Sequence, residues 1–285
     1  YVVENFKFTK FLINNLNKKK NVKTFFNSDL VKIDTLDSYS KIYLKNQKIN
    51  TKLIVAADGK NSTVRKMYGN KIFKKNYSES ALVLNFFHEN NLKNTAYEIF
   101  YNTGPLAILP MSPSNNFFQS SIIWSNKDLF VKKIIKCDNE FIKNIIDEKV
   151  GQITGNIIKI NSKQMFQLSA HINDTFFNKR LVYIGDSAHS IHPIAGQGWN
   201  LGIKDVKSLD LICKEFLSKK EKIGNDFFCK KYNDLTYKNA LQLYHITDKL
   251  NYHFQIKNKP YRALSNMGFN FLENNLTLKN KITKF

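Results

Sequence analysis

Apolar residues recur every three or four positions over residues 4–19, with Phe8, Phe11, Leu12 and Leu16 on one stripe and "NKKK" closing the run. That period predicts an amphipathic helix. The period then shortens. "NVKTFF" (21–26) reads as a short strand. "LVKIDTL" and "KIYLK" alternate apolar with polar, which predicts an antiparallel pair turning near Asp37-Ser38. "KLIVAAD" (52–58) is continuously apolar and β-branched, as in a parallel strand buried on both faces. It stops at Asp58-Gly59, and Ser62 is placed to cap a short helix.

Residues 80–125 are rich in strand text: "ALVLNFFH", "AYEIFY", "LAILP" and "SSIIW", with Gly104-Pro105 and "SPSNN" (112–116) as expected turns. Residues 129–150 return to helical spacing, and "IIKINSKQMFQLSAH" to strand. "RLVYIGD" (180–186) is a second buried parallel strand. From Asp205 a helical face follows through Val206, Leu209, Ile212, Cys213, Phe216 and Leu217, and further amphipathic helices run to about Glu273. No internal repeat or low-complexity linker interrupts the pattern. The expectation is an α/β protein: a discontinuous domain (1–77 plus 176–215), a β-rich insertion (78–175) and a C-terminal helical segment (216–285).

Composition narrows this picture. With 42% hydrophobic residues, the 285-residue chain can build a real core. No apolar stretch approaches the ~18 residues of a membrane span. The chain opens on Tyr1, without a signal peptide and already in helical rhythm, so further residues are expected upstream. The three cysteines are odd in number and scattered, which points to a reducing, cytoplasmic compartment rather than to disulfides or a zinc site. The net charge of +21 invites a nucleic-acid reading, yet only three of the 44 basic residues are arginine. Base and phosphate readers lean on arginine's bidentate fork, so no nucleic acid is expected. Scattered lysines do suit an anionic membrane surface.

Two segments carry chemistry. In "LIVAADGKNSTVRK", Asp58 ends a strand at the carboxyl edge, where open α/β sheets bind ligands. Gly59 permits a sharp turn, Ser62 and the next helix offer donors for an anion, and Arg65 is placed to pair with Asp58 or a phosphate. In "RLVYIGDSAHSIHPIAGQGWNLGIKDV", Asp186 has the same strand-end placement and suits sugar-like hydroxyls. Pro193 stiffens the loop, Gly196 and Gly198 leave room for something flat against the backbone, and the helix opening near Asn200 presents free N–H groups to it. Asp186, His189 and His192 have the residue types of a two-histidine, one-carboxylate metal triad. Their spacing across a strand end and a proline does not converge, so no metal is expected. No GxSxG, HExxH or Walker loop is present.

Taken together, these segments resemble the FAD-dependent aromatic hydroxylases, the group A flavoprotein monooxygenases, and most closely the branch acting on ubiquinone precursors. The matching residues are Ala57-Asp58-Gly59, Ser62 and Arg65, then Gly185-Asp186-Ser187-Ala188-His189, Pro193, Gly196-Gln197-Gly198, Asn200, Gly202 and Asp205. "GPLAILP", "IIW", "TDKLNYHF" and "PYRALSNMG" are similar too. The family's N-terminal strand–GxGxxG–helix is not in this sequence, and Trp199 and Lys204 stand where a smaller apolar residue and arginine are usual. Trp199 is therefore expected to reshape the pocket.

The resemblance implies an FAD/NAD(P)-binding Rossmann-like domain with an inserted substrate sheet. It implies a monooxygenase that uses FAD, NAD(P)H and O2, through a flavin C4a-hydroperoxide, to hydroxylate a prenylated phenol. The chemistry is flavin-borne, so no side-chain catalyst is assigned. The implied cofactor residues are Asp58, Gly59, Ser62, Arg65, Gly185, Asp186, Ala188, Pro193, Gly196, Gln197, Gly198, Trp199, Asn200 and Leu201. Contact with the inner membrane or a ubiquinone-biosynthesis complex is a further implication. Hydroxylation of another aromatic, a geranylgeranyl-type reductase, and an inactive fragment that does not retain FAD stay open.

Overall fold

A computed structural model describes residues 3–114, 117–256 and 258–277. Helix α1 (Asn5–Asn17) leads into an antiparallel meander of β1 (Leu30–Thr35), β2 (Ser40–Leu44) and β3 (Gln47–Thr51). The hairpin closes with Thr35 opposite Ser40, as the alternation predicts. β3 went unpredicted because "QKINT" carries one apolar residue. Strand β4 (Ile54–Ala56) is followed by α2 (Thr63–Tyr68), whose first turn is capped by Ser62 Oγ accepting the Arg65 N–H at 2.9 Å.

The six-stranded antiparallel sheet comes next. It is built from β5 (Ile72–His88), β6 (Tyr97–Tyr101), β7 (Gly104–Ser114) and β8 (Phe117–Lys127), then, after helices α3 (Asp128–Ile134) and α4 (Asn139–Thr154), from β9 (Ile157–Asn173). β10 (Phe177–Asn178) and β11 (Leu181–Tyr183) join β4 in a three-stranded sheet, where β11 and β4 run parallel. The short β12 (His189–Ser190) completes the large sheet in the order β12-β9-β5-β8-β7-β6. Helices α5 (Gln197–Ser218), α6 (Asp226–Gln255) and α7 (Lys259–Asn274) close the described chain.

Two apolar clusters form the interior. One gathers Ile54, Ala56, Leu181, Val182, Tyr183, Phe216, Phe228 and Tyr232 around the parallel pair and α5–α6. The other packs Leu82, Leu84, Phe86, Leu106, Ile122 and Trp124 of the large sheet against Ile142, Ile146 and Val150 of α4. β9 contributes to both, with Ala170 and Ile172 in the first and Ile157 and Ile160 in the second. A continuous strand therefore fixes one cluster relative to the other.

Several expectations are corrected. Residues 21–26 form no strand; Phe26 is 63% exposed and no described strand pairs with this segment. A strand needs a neighbour for its backbone groups. β4 is not buried on both faces: it lies at the edge of its sheet and Val55 points outward. The segment 129–150 is two helices, because Asp138 caps a new start by accepting the Phe141 N–H at 2.8 Å. α5 begins at Gln197, three residues ahead of the expected opening near Asn200, because Gly196 at φ +60° lets the chain enter the helix directly. The stripe of α1 forms, but Phe11, Leu12 and Leu16 are exposed. Residues 115–116 of the expected "SPSNN" turn lie outside the described residues.

Gly104-Pro105 opens β7 instead of forming a turn, which falls at Asn102–Thr103. Gly104 has φ +132°, and a Cβ there would lie 2.1 Å from the Ser125 carbonyl oxygen. Gly104→Ala must push β7 and β8 apart, at about 2 kcal/mol or more. Urea unfolding should show that loss, whereas Gly151→Ala, in open helical space, should not.

Candidate functional site

The parallel pairing of Ala56 with Tyr183 brings the two acidic motifs to one sheet edge. β4 continues into Asp58-Gly59 and β11 into the 3-10 turn Gly185–Ser187. Ile184 N–H donates to the Ala56 carbonyl at 3.0 Å, and Ser187 Oγ donates to the same carbonyl at 2.6 Å. Above these bonds both Asp58 and Asp186 are exposed. Asp58 Oδ2 accepts the Val64 N–H at 3.0 Å, which holds it at the mouth of α2.

Arg65 ties the motifs from beneath. Its buried guanidinium donates to the Ser187 carbonyl at 3.0 Å and the Lys60 carbonyl at 2.6 Å, and lies 3.1 Å from His171 Nε2. Burial lowers its pKa, and the nearby Asp58 carboxylate opposes that shift. Arg65 therefore spends its fork on backbone carbonyls; its tie to Asp58 is through charge alone. Lys60, in turn, donates to the Ser169 carbonyl at 2.7 Å. Burial lowers its pKa, countered by the charge of Asp186.

The second anchor is Asp205, buried on α5. Its Oδ2 accepts the Gly185 N–H at 2.9 Å and sits 2.7 Å from His189 Nε2. A Cβ on Gly202 would come within 3.4 Å of Gly185 Cα, so helix and turn are in close contact. These bonds seat the start of α5, where no side chain caps the helix. Its first N–H groups carry the positive end of the helix dipole. Gly196, at φ +60°, has open space where a Cβ would sit, as does Gly185 at φ +56°.

Pro193, Ile194 and Gly196 form one wall of a cleft of about 260 Å³, and Ala107, Leu109 and Ile123 of the large sheet form another. The lining is mostly apolar. Trp199 does not line this cleft; it is half exposed and meets Phe8 of α1 edge-on at 5.7 Å. It borders a separate hollow with Val3, Asn5 and Phe8.

The sequence-predicted residues thus divide by position. Asp58, Gly59, Gly185, Asp186, Pro193, Gly196, Gln197, Gly198 and Asn200 reach the surface of the edge, the loop or the helix start. Ser62, Arg65, Ala188 and Leu201 are buried and shape the site from below. His189 and His192 take separate partners, and among the described residues no three acidic, histidine or cysteine side chains gather as for a metal. Sequence reasoning passed over His171, Lys60 and Glu79. Lys60 sits inside the first motif; the other two carry no local signal.

The exposed carboxylates at adjoining strand ends, the space over Gly185 and Gly196, and the uncapped helix start fit hydroxyls, a flat ring and its electron-rich edge. The sequence matches the family of FAD binding domains over residues 2–220. The chain belongs to that family. This FAD binding domain is 30% identical over 242 residues to ubiquinone hydroxylase UbiL of Rhodospirillum rubrum, covering 84% of this chain and 54% of that protein. It is 25% identical to the mitochondrial ubiquinone biosynthesis monooxygenase COQ6 of Dictyostelium discoideum, over 99% of this chain and 67% of the relative. The chain spans little more than half the length of the first of these relatives and two thirds of the second. The fold is that of p-nitrophenol 4-monooxygenase from Pseudomonas putida, with TM-score 0.74 at 16% identity, covering 98% of this chain and 71% of that one.

His171 makes the site's stability depend on pH. Burial, with the Arg65 and Lys60 charges beside it, pushes its pKa down to about 4 from 6.5. The folded protein keeps the ring neutral while the unfolded chain protonates it. The unfolded state therefore binds more protons between those values, and stability falls as pH drops from about 6.5 to about 4. The loss amounts to roughly 3 kcal/mol. His171→Gln keeps an acceptor for Arg65 without the titration, and should flatten this part of the stability–pH curve measured by urea unfolding.

Proposed function

We propose that this chain is the FAD- and substrate-facing part of a monooxygenase that hydroxylates the aromatic ring of a ubiquinone precursor. The observation that carries the proposal is the meeting of two exposed strand-end carboxylates with the glycine-flanked start of α5, beside an apolar cleft. The division into an FAD-binding unit (1–77 plus 176–215), a substrate-facing insertion (78–175) and a helical segment (216–285) is part of this reading.

In it, Asp186 holds the ribityl or ribose hydroxyls, and Asp58 lies near the pyrophosphate. The backbone from Gly196 to Asn200 would face the isoalloxazine, and the α5 N–H groups would stabilise negative charge on it. The chemistry that bound FAD supplies is the reductive activation of O2: NAD(P)H, a proton, O2 and the ring give NAD(P)+, the hydroxylated ring and water. The residues of this chain orient the ring. Ala107, Leu109 and Ile123 offer it apolar contacts, while Pro193 and Ile194 exclude water from the other side.

The test is made on the protein produced from its full reading frame and reconstituted with FAD. A yellow holoprotein should oxidise NAD(P)H when given a prenylated phenol, and the product should gain the mass of one oxygen atom. A gain of two hydrogens makes it a reductase; failure to retain FAD removes the proposal. Asp186→Ala should weaken FAD binding about tenfold, the loss of one good hydrogen-bonding group.

The same reading places the protein at a membrane surface. Among the described residues no helix is long and apolar enough to cross a bilayer. Supporting a peripheral contact are the +21 charge and the exposed stripe Leu264, Met267 and Phe271 on α7. Co-sedimentation with anionic vesicles should be strong at low salt and fade as salt rises; no binding at low salt overturns the placement.

A further inference from the structure

We propose that Glu79 is a positioning residue, acting through His192 to set the Pro193–Gly196 loop that walls the cleft. His192 is fully buried, and its Nδ1 accepts the Ile194 N–H at 3.2 Å. That bond uses the lone pair on Nδ1, so the ring's N–H is on Nε2. Nε2 points at Glu79 Oε2, 3.6 Å away. Neither atom has a hydrogen-bond partner among the described residues. A donor and an acceptor thus face each other in the interior, just beyond bonding distance.

Glu79 is held at this spot from the other side. Gln255, at the end of α6, donates to its Oε1 at 2.5 Å and also to Asn251 Oδ1 at 3.2 Å. The pairing of β5 with β9 is irregular between Asn76 and Ser80, and Ser78 has φ 53°. The Tyr77 ring stands edge-on to His192 at 4.7 Å. The carboxylate is therefore anchored by one oxygen and offers the other to the histidine. Tyr77, Glu79, Asn126 and Gln255 also border a cavity of about 1090 Å³.

A closing movement of about 0.8 Å makes a charge-assisted hydrogen bond and satisfies both orphaned atoms. Because Nδ1 holds Ile194, the same movement is handed to the loop. The pair is a latch with an open and a closed setting, and its setting fixes the height of Pro193 and Ile194 over the cleft floor. The latch itself stands on geometry; its effect on ring binding rests on the hydroxylase reading above.

The test is a double-mutant cycle read by amide hydrogen exchange of a peptide spanning residues 191–198 in the full chain. His192→Asn keeps the bond to Ile194, because an asparagine side chain accepts from the N–H two residues on, but it loses the reach to Glu79. Glu79→Ala removes the other partner. Each variant should raise exchange about tenfold, and the double variant should add nothing to either. Glu79→Gln keeps the volume, should leave the fold intact, and should raise exchange in the same direction by less. Additive effects, or unchanged exchange in folded Glu79→Gln and Glu79→Ala proteins, overturn the proposal. In the FAD-loaded protein, Glu79→Ala should raise KM for the prenylated phenol more than it lowers kcat. Coupled exchange without any phenol turnover would keep the latch and remove the hydroxylase reading.

Discussion

The site depends on a guanidinium taken out of water. Arg65 is 6% exposed, and its charge is tolerable there because the fork donates to the carbonyls of Ser187 and Lys60 and the Asp58 carboxylate lies nearby. Those carbonyls belong to the two acidic motifs, more than 120 residues apart in the chain. Folding the arginine in therefore assembles the sheet edge. Without the bridge, Ser187 would still bond to Ala56, but the Asp58 turn would be tied to the 185–187 turn only by the charge attraction of Lys60 to Asp186 among the described residues. Asp58 and Asp186 stay exposed because the buried work is done beneath them.

Asp205 plays the matching part on the helix side. One carboxylate oxygen serves both the Gly185 N–H and His189, so the turn after β11 and the start of α5 move as one body. The Gly202–Gly185 contact completes this joint. The loop between them is Pro193–Gly196. It hangs from His192 on one end and from the helix start on the other, which is why a small displacement there is translated into cleft shape.

Much of this was legible in the sequence. The two strand-end aspartates, the late glycines and the Ser62 cap are local signals, since each needs a given residue type at a given backbone position. The strand content of residues 80–125 was legible too, because short apolar and aromatic runs are bounded there by turn residues. What the sequence hid is of another kind. The failed strand at 21–26 and the exposed Val55 depend on whether a neighbour exists, which periodicity does not report. The roles of Arg65, His171 and Glu79 depend on partners 106 to 176 residues away, and no spacing rule reaches that far. Arg65 illustrates the difference: its presence in the motif was visible, but its use on backbone carbonyls was not.

The arginine content makes the same point from composition. A chain that carries 44 basic residues and only three arginines has placed lysine wherever a point charge suffices. Two of the three arginines are buried to the same degree, Arg65 and Arg180. Arg180 donates to the carbonyls of Asp37 and Lys52, joining the meander to the parallel pair as Arg65 joins the two motifs. Each site asks one side chain to satisfy carbonyls on separate segments from a fixed plane. A lysine ammonium, on a flexible stem with a single nitrogen, cannot span them. The scarcity that argues against a nucleic-acid surface thus marks the two places where the fold needs a planar fork, and both lie in the half of the molecule that builds the sheet edge.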